Sequence, residues 1–442
     1  MKAVTASLWR QIGQLRSISF VRDVVTFASG TTAAQVLTIA AAPALTRLYA
    51  PHDLGILSLF TAVVALFASA AAWRYDYAII LPRRDAEAAN LFGLSCFIVI
   101  LMAGLAAVVV VVAGDRLSEA LGAPDLAPFL PLAPVAVIAI GLYLPLSSWA
   151  ARRRHYKEVS IAQIVRSIGG TAIQIVLGLL KSGPAGLILG VIMGQLIAGG
   201  TLVGQIWRKD GRLIAASLDP KEIWWLGREH SDFPMFSMPS AYLFAVTQTV
   251  PAMLLAMCFD PAVAGGYWLA SRICQMPIAL LGEAVRQVFY ERAASQFNRD
   301  EGQLLILAKS TMGLAFIVFV PFAIMILFAP KLFEAAFGEA WVYAGTYSQW
   351  LIVPWTVEFI CTPSLTLVPI YSHQRLLLVF QCLTLVPRLG VIPFASYVGN
   401  DRTAIAMYAM AGAIFHLSIL LFVFLRSWRH QLSLVRAASA KV

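Results

Sequence analysis

The stretch ASRICQMPIALLGEAVRQVFYERAA, residues 270–294, has the length and apolar background of a membrane helix, but Arg272, Gln275, Glu283 and Arg286 interrupt it. A charge at mid-bilayer costs about 3 kcal/mol or more unless it faces protein or water. At about 100° per residue, Arg272, Gln275, Ala279, Glu283 and Arg286 fall within roughly 80° of arc. The stretch is therefore a helix with one polar stripe and one lipid-compatible face. Such a stripe either glues a bundle together or lines a water-filled cavity, depending on what charges the other helices carry.

The rest of the chain supplies those helices. Of 442 residues 60% are apolar and 13% charged, with a mean hydropathy of +0.77; soluble domains carry about 25% charged residues. This is the composition of an all-α polytopic membrane protein. Apolar runs of about 20 residues, cut by turn and charge signals, give twelve expected spans: 27–46, 55–80, 88–113, 128–150, 159–180, 185–207, 233–258, 265–290, 305–329, 346–371, 377–398 and 403–425.

Lysine and arginine set the orientation. With the first 26 residues inside, the inner connections and termini hold 22 basic residues, among them Arg83, Arg84, Arg152, Arg153, Arg154 and Arg208, against five in the outer connections. By the positive-inside rule both termini are cytoplasmic. The net charge of +10 then follows from topology and the anionic inner leaflet, and nucleic-acid binding is not expected. The first 26 residues lack the early apolar core of a cleavable signal. Cys96, Cys258, Cys274, Cys361 and Cys382 all lie in spans without metal-type spacing, so they read as small packing residues; no metal and no cofactor is expected.

The expected organisation is a cytoplasmic segment (1–26), a six-helix bundle (27–207), a cytoplasmic linker (208–232), a second six-helix bundle (233–425) and a cytoplasmic tail (426–442). Outer connections are short, the longest running from Pro330 to Gly345, which leaves no room for an external catalytic domain; an enzyme is not expected. A Pro-x-x-x-Gly turn follows the opening helix of each half, in APHDLG (50–55) and DPAVAG (260–265). Two halves of six spans share one orientation, as in a parallel repeat.

Six cations fall inside the spans: Arg74, Arg166, Arg272, Arg286, Lys309 and Arg388, against the acids Asp76, Glu283 and Glu358. Lys309 is near a helix end and can snorkel. Asp76 can serve Arg74 and Glu283 can serve Arg286, but Arg166, Arg272 and Arg388 have no local mate. An uncompensated cationic cavity is the economical reading, and guanidinium forks suit a phosphate, with a diphosphate the natural ligand. Glu358 lies among prolines in VPWTVEFICTPSLTLVPIY (353–371), a helix expected to be broken; it either carries a coupling ion, as Asp76 could, or neutralises Arg388. The histidines, His416 within a span included, read as packing or surface residues. Most tryptophans fall near the span ends as belt residues do, and Trp268 and Trp355, beside the polar stripe and Glu358, are the alternatives that could stack on a sugar.

Several stretches resemble the Wzx-type polysaccharide and O-antigen flippases of the multidrug/oligosaccharidyl-lipid/polysaccharide (MOP) exporter superfamily: TRLYAPHDLGILSLF, RYDYAIILPRRDAEAANLFGLS, SGPAGLILGVIMGQL, and the long run from Phe233 to Ala294. The resemblance implies two six-helix bundles facing a cavity that opens alternately to either side. It implies transfer of undecaprenyl-diphosphate-linked oligosaccharide across the bacterial inner membrane for O-antigen, capsule or exopolysaccharide synthesis. Membrane lipids, H+ or Na+ as coupling ion, and the polysaccharide polymerase and chain-length machinery are the expected partners. The related lipid II flippases use cavity arginines on helices one, two and eight, and Arg47, Arg74 and Arg272 occupy similar places. With Arg166, Arg286 and Arg388 these form the expected cationic cavity, and Gln275 and Glu283 its polar lining. The competing reading is a cation-coupled multidrug exporter of the same superfamily, which relies on acidic residues often found in helix one; residues 27–46 contain none.

Overall fold

The computed structural model describes residues 30–297, 303–370 and 374–439; the cytoplasmic segment 1–26 expected above lies outside the described residues. The described chain is helical throughout. Its helices are α1 (30–40), α2 (Ala42–Leu48), α3 (Pro51–Ser69), α4 (Tyr75–Ala78), α5 (Asp85–Ala120), α6 (Ala133–Arg152), α7 (Tyr156–Leu179) and α8 (Pro184–Ser217). Then come α9 (Pro220–Glu229), α10 (Met238–Cys258), α11 (Pro261–Phe297), α12 (Leu304–Phe337), α13 (Val342–Ile370), α14 (Gln374–Val398) and α15 (Asp401–Ser439). Every expected span overlaps a helix. Ten helical segments are long and apolar enough to cross a membrane among the described residues. The polar stripe keeps α11 out of those ten, although it runs unbroken for 37 residues.

The chain forms two compact units, one comprising Met1–Tyr49, Phe60–Glu119 and Pro124–Thr249, the other Ala50–Leu59, Ala120–Ala123 and Val250–Val442. In the first unit α8 packs along α7 and α6. Glycine makes the α7/α8 crossing close: a Cβ on Gly170 would meet the Gly190 carbonyl oxygen at 2.9 Å, and one on Gly194 would meet the Arg166 carbonyl oxygen at 2.9 Å. Gly186, Gly190 and Gly194 recur every four residues on one face, the small-residue spacing by which membrane helices approach. The core of this unit gathers Trp149, Ile79, Leu91 and Leu202, all fully buried. Trp149 Nε1 donates to Asp210 at 3.1 Å, and Arg153 pairs with the same buried carboxylate at 3.0 Å.

In the second unit α13 is the central helix, flanked by α11, α12 and α15, with α14 against α15. Tyr347, Ala270, Ile392 and Ala409 fill its core. The two Pro-x-x-x-Gly turns meet here: Gly55 lies against the Pro261 carbonyl, and a Cβ on Gly265 would sit 2.5 Å from the Pro51 carbonyl oxygen. The paired turns of the sequence are thus a backbone-to-backbone contact that only hydrogen side chains allow.

Two expectations are corrected. The second span stops at Ser69 rather than residue 80, because Trp73 and Arg74 adopt φ of 46° and 64° and turn the chain out of its helix. Arg74 and Asp76 therefore belong to a turn and the one-turn α4, not to a membrane helix. And α13 is not broken at Glu358: it continues from Val342 to Ile370. Thr362 donates to the Glu358 carbonyl at 3.4 Å and Thr366 to the Thr362 carbonyl at 2.7 Å. Neighbouring helices and such hydroxyls let a membrane helix carry proline without breaking. The 208–232 connection is itself largely helical, as the end of α8 and as α9.

Candidate functional site

Arg74 takes its position from the backbone before its side chain matters. The left-handed Trp73 and Arg74 reverse the chain, and Arg74 then serves as the residue preceding α4. That helix is pinned by Tyr75, whose hydroxyl donates to the Gly227 carbonyl at 2.7 Å. The guanidinium lies 5.1 Å from the Tyr77 ring centroid, a cation–π distance. Asp76 beside it is 3% exposed, and its Oδ1 has no hydrogen-bond partner. Burial pushes the Asp76 carboxyl up to about 6, against the opposing pull of Arg74 and a backbone hydrogen bond. Arg74 also stands at the edge of a pocket of about 290 Å³ inside the first unit, walled by Phe60, Val64, Ala68, Ile140 and Leu144. Among the described lining residues Arg74 alone is charged.

The second unit gathers a different set. Arg388 of α14 stands 4.8 Å over the Tyr408 ring, beside Gly412, where a Cβ would meet its guanidinium at 3.1 Å. Glu358 of α13 lies within its electrostatic range, as does His416 of α15. His416 Nε2 is 3.6 Å from Glu358 Oε2. The reading of His416 as a packing residue is therefore incomplete: a buried imidazole faces the one acid of α13. The signal was its depth, since AIFHLSILLF places it at the middle of its span.

The remaining expected site residues are dispersed. Arg272 is exposed on α11, 5.3 Å over the Trp268 ring, with Gln275 half-buried one turn on. Arg286 is exposed, and the Glu283 side chain lies outside the described ones. Arg166 is exposed on α7 and donates to Gln195 Oε1 at 3.3 Å. Arg47 is exposed in the last turn of α2. By contrast Arg152 serves the frame: it pairs with Asp85 at 2.8 Å and donates to the carbonyls of Ile79, Ile80 and Pro82. No group of metal ligands occurs among the described residues.

A long-helix, two-unit chain of this kind has the fold of the MOP-superfamily transporters. An inward-facing multidrug-resistance MATE transporter of that superfamily is 15% identical, over 90% of this chain and 95% of its own, at a TM-score of 0.69. An outward-facing MATE transporter is 13% identical over 94% and 96%, at 0.58. A Vibrio cholerae MATE transporter is 12% identical over 92% and 96%, at 0.55. Residues 44–345 match the profile of the family described as "Polysaccharide biosynthesis protein", and the chain belongs to that family. Comparison with curated proteins gives no significant match.

Proposed function

We propose that this protein is a flippase that carries an undecaprenyl-diphosphate-linked oligosaccharide from the cytoplasmic to the periplasmic leaflet of the bacterial inner membrane, for surface polysaccharide synthesis. The observation that carries the reading is Arg74, the one charged residue among those described as lining a largely apolar pocket that also holds Thr61 and Ser69, in a chain of the polysaccharide biosynthesis family. An apolar wall ending in a guanidinium suits an amphiphile whose acidic head meets the arginine and whose isoprenoid chain lies along the wall. Within the second unit, Arg272 and Arg286 are exposed on α11, and Arg272 lies 5.3 Å over the Trp268 ring. Alternating access moves the head group between leaflets without chemistry on it, so no catalytic residue is required. Both termini are cytoplasmic in this reading, as the basic connections require.

The likeness in fold to MATE transporters favours one second reading, export of organic cations in exchange for an ion. The two predict opposite substrate charge. Purified protein in proteoliposomes, given a lipid-linked oligosaccharide and, separately, a lipophilic cationic dye, distinguishes them. Movement of the lipid to the far leaflet, lost in Arg74→Ala, supports the flippase; dye transport without lipid movement contradicts it.

A further inference from the structure

α9 lies outside the candidate membrane spans, in the connection between Pro184–Ser217 and Phe233–Cys258. Its inner face is fixed to the first unit at both ends. Asn90 of α5, fully buried, donates to the Ser217 carbonyl at 2.9 Å and to Glu222 Oε2 at 3.0 Å, and accepts from the Asp219 amide at 2.8 Å. At the other end the Gly227 carbonyl accepts from the Tyr75 hydroxyl at 2.7 Å. Leu226 is buried between these anchors. Two glycines bring the backbones together: a Cβ on Gly93 would meet Leu218 Cδ2 at 2.7 Å, and one on Gly227 would meet Leu94 Cδ2 at 3.1 Å. These contacts set the depth of α9. Asn90, Gly93 and Leu94 belong to the first turns of the apolar run expected over 88–113, so α9 rests where α5 passes from water into hydrocarbon, at the level of the lipid headgroups.

The outward face has a composition that water alone does not explain. At about 100° per residue, Trp224, Arg228, Lys221 and Trp225 follow one another around roughly 100° of arc. Trp224 is 76% exposed and Trp225 59%, and Lys221 and Arg228 are exposed between them. Neither cation is paired with a carboxylate among the described residues. Two of the nearby acids are already engaged, Asp219 as the cap that accepts from the Lys221 amide at 2.9 Å and Glu222 on Asn90. Glu229 and Asp232, both exposed, follow at the C-terminal end of the arc. Exposed indoles forgo the stabilisation that burial would give them. At a membrane surface the same rings sit between headgroup and hydrocarbon, and basic residues beside them meet lipid phosphates. The next turn, Phe233–Ser237, continues the apolar border with exposed Met235 and Phe236.

We propose that α9 is an interfacial helix whose face bearing Trp224, Arg228, Lys221 and Trp225 docks on anionic phospholipid headgroups. The lipid phosphates meet Lys221 and Arg228, and the two indoles lie at the boundary with the acyl chains. The surface is continuous with the membrane that the flanking spans occupy, and it is separate from the pocket at Arg74.

The test is tryptophan fluorescence of the full-length protein in nanodiscs of phosphatidylglycerol or of phosphatidylcholine, each with and without bromine on the acyl chains, which quenches nearby indoles. The share of the two residues is the difference between the native protein and Trp224→Phe/Trp225→Phe. That difference is expected to be quenched by brominated phosphatidylglycerol. Repeated in a Lys221→Gln/Arg228→Gln background, or at raised salt, the quenching is expected to fall to the phosphatidylcholine level. A difference emission untouched by brominated lipid overturns the proposal, whether the rings face water or are covered by a second copy or a soluble protein. Equal quenching in the two lipids, unmoved by loss of the charges, also overturns it and leaves the indoles as ordinary belt residues. Amide hydrogen exchange over residues 218–232 of the native protein decides without any substitution: slower exchange in phosphatidylglycerol than in phosphatidylcholine is expected, and equal exchange overturns the proposal.

Discussion

Arg74 and Arg388 are the same residue resting on the same kind of ring, at 5.1 Å and 4.8 Å, yet their counter-charges reach them by different routes. Asp76 is two residues from Arg74, fixed by the left-handed turn and buried beneath it. Glu358 and His416 reach Arg388 only through the packing of α13 and α15 around it. A partner set by local backbone stays put, so Arg74 is a standing cation at its largely apolar pocket. A partner supplied by another helix depends on packing, so the surroundings of Arg388 hold only while α13 and α15 stay in place. In the proposed function Arg74 is the arginine that meets the anion, whereas Arg388 belongs to a separate cluster of the second unit.

The largest effect should come from removing the frame of the first unit altogether. Gly194→Leu forces a side chain into the Arg166 carbonyl; overpacking of this kind costs on the order of 1–3 kcal/mol or more, and the expected outcome is loss of folded protein in detergent, read by size-exclusion profile. Arg74→Ala should leave folding intact and lower lipid transport about 10–100-fold, the worth of a charge-assisted pair to phosphate at roughly 1.5–3 kcal/mol. Arg74→Lys should recover only part of this, since an ammonium lacks the bidentate fork. A full-rate Arg74→Ala would remove the contrast between the two sites.

Asp76 sharpens the same contrast through pH. Its carboxyl is raised in the folded protein to about 6, so its contribution to stability is complete below the unfolded value near 4 and is lost as pH rises through 6. The melting temperature of the native protein should fall across that window by an amount worth about 1–3 kcal/mol, and Asp76→Asn should flatten the fall. A profile rising across the window would show that Asp76 is held ionised by Arg74. The smallest effect is expected in the second unit: Arg388→Gln should lower the melting temperature by leaving Glu358 uncompensated, and the double change with Glu358→Gln should restore it. Return of transport together with stability would show that Glu358 is only a counter-charge.

The expected spans were legible as helices because an apolar run of about 20 residues has little choice in a bilayer, and each overlaps a helix among the described residues, ten of whose segments are long and apolar enough to cross a membrane. The paired Pro-x-x-x-Gly turns also stood in the sequence, but as a sign of a repeat rather than of backbones that meet, and the Gly186, Gly190, Gly194 series was not read as a packing face. What could not be read was set by single backbone angles or by tertiary contact. Nothing in RYDYAIILP signals that Trp73 and Arg74 would turn left-handed, so both Arg74 and Asp76 were placed inside a helix that had already ended. The prolines of α13 suggested a break, but hydroxyls and neighbouring helices absorb them. His416 looked idle because its partner lies 58 residues earlier on another helix. Site residues were legible as charges in the wrong solvent, and their roles only once their neighbours were known.

The most direct test of the flippase reading is the pH profile of lipid-linked oligosaccharide transport in proteoliposomes, measured for the native protein, Arg74→Ala and Glu358→Gln side by side. The account predicts that Arg74→Ala lowers the rate at every pH and keeps the native shape, whereas Glu358→Gln flattens the shape. A Glu358→Gln profile that follows the native curve, or an Arg74→Ala profile changed in shape and not in height, would contradict it.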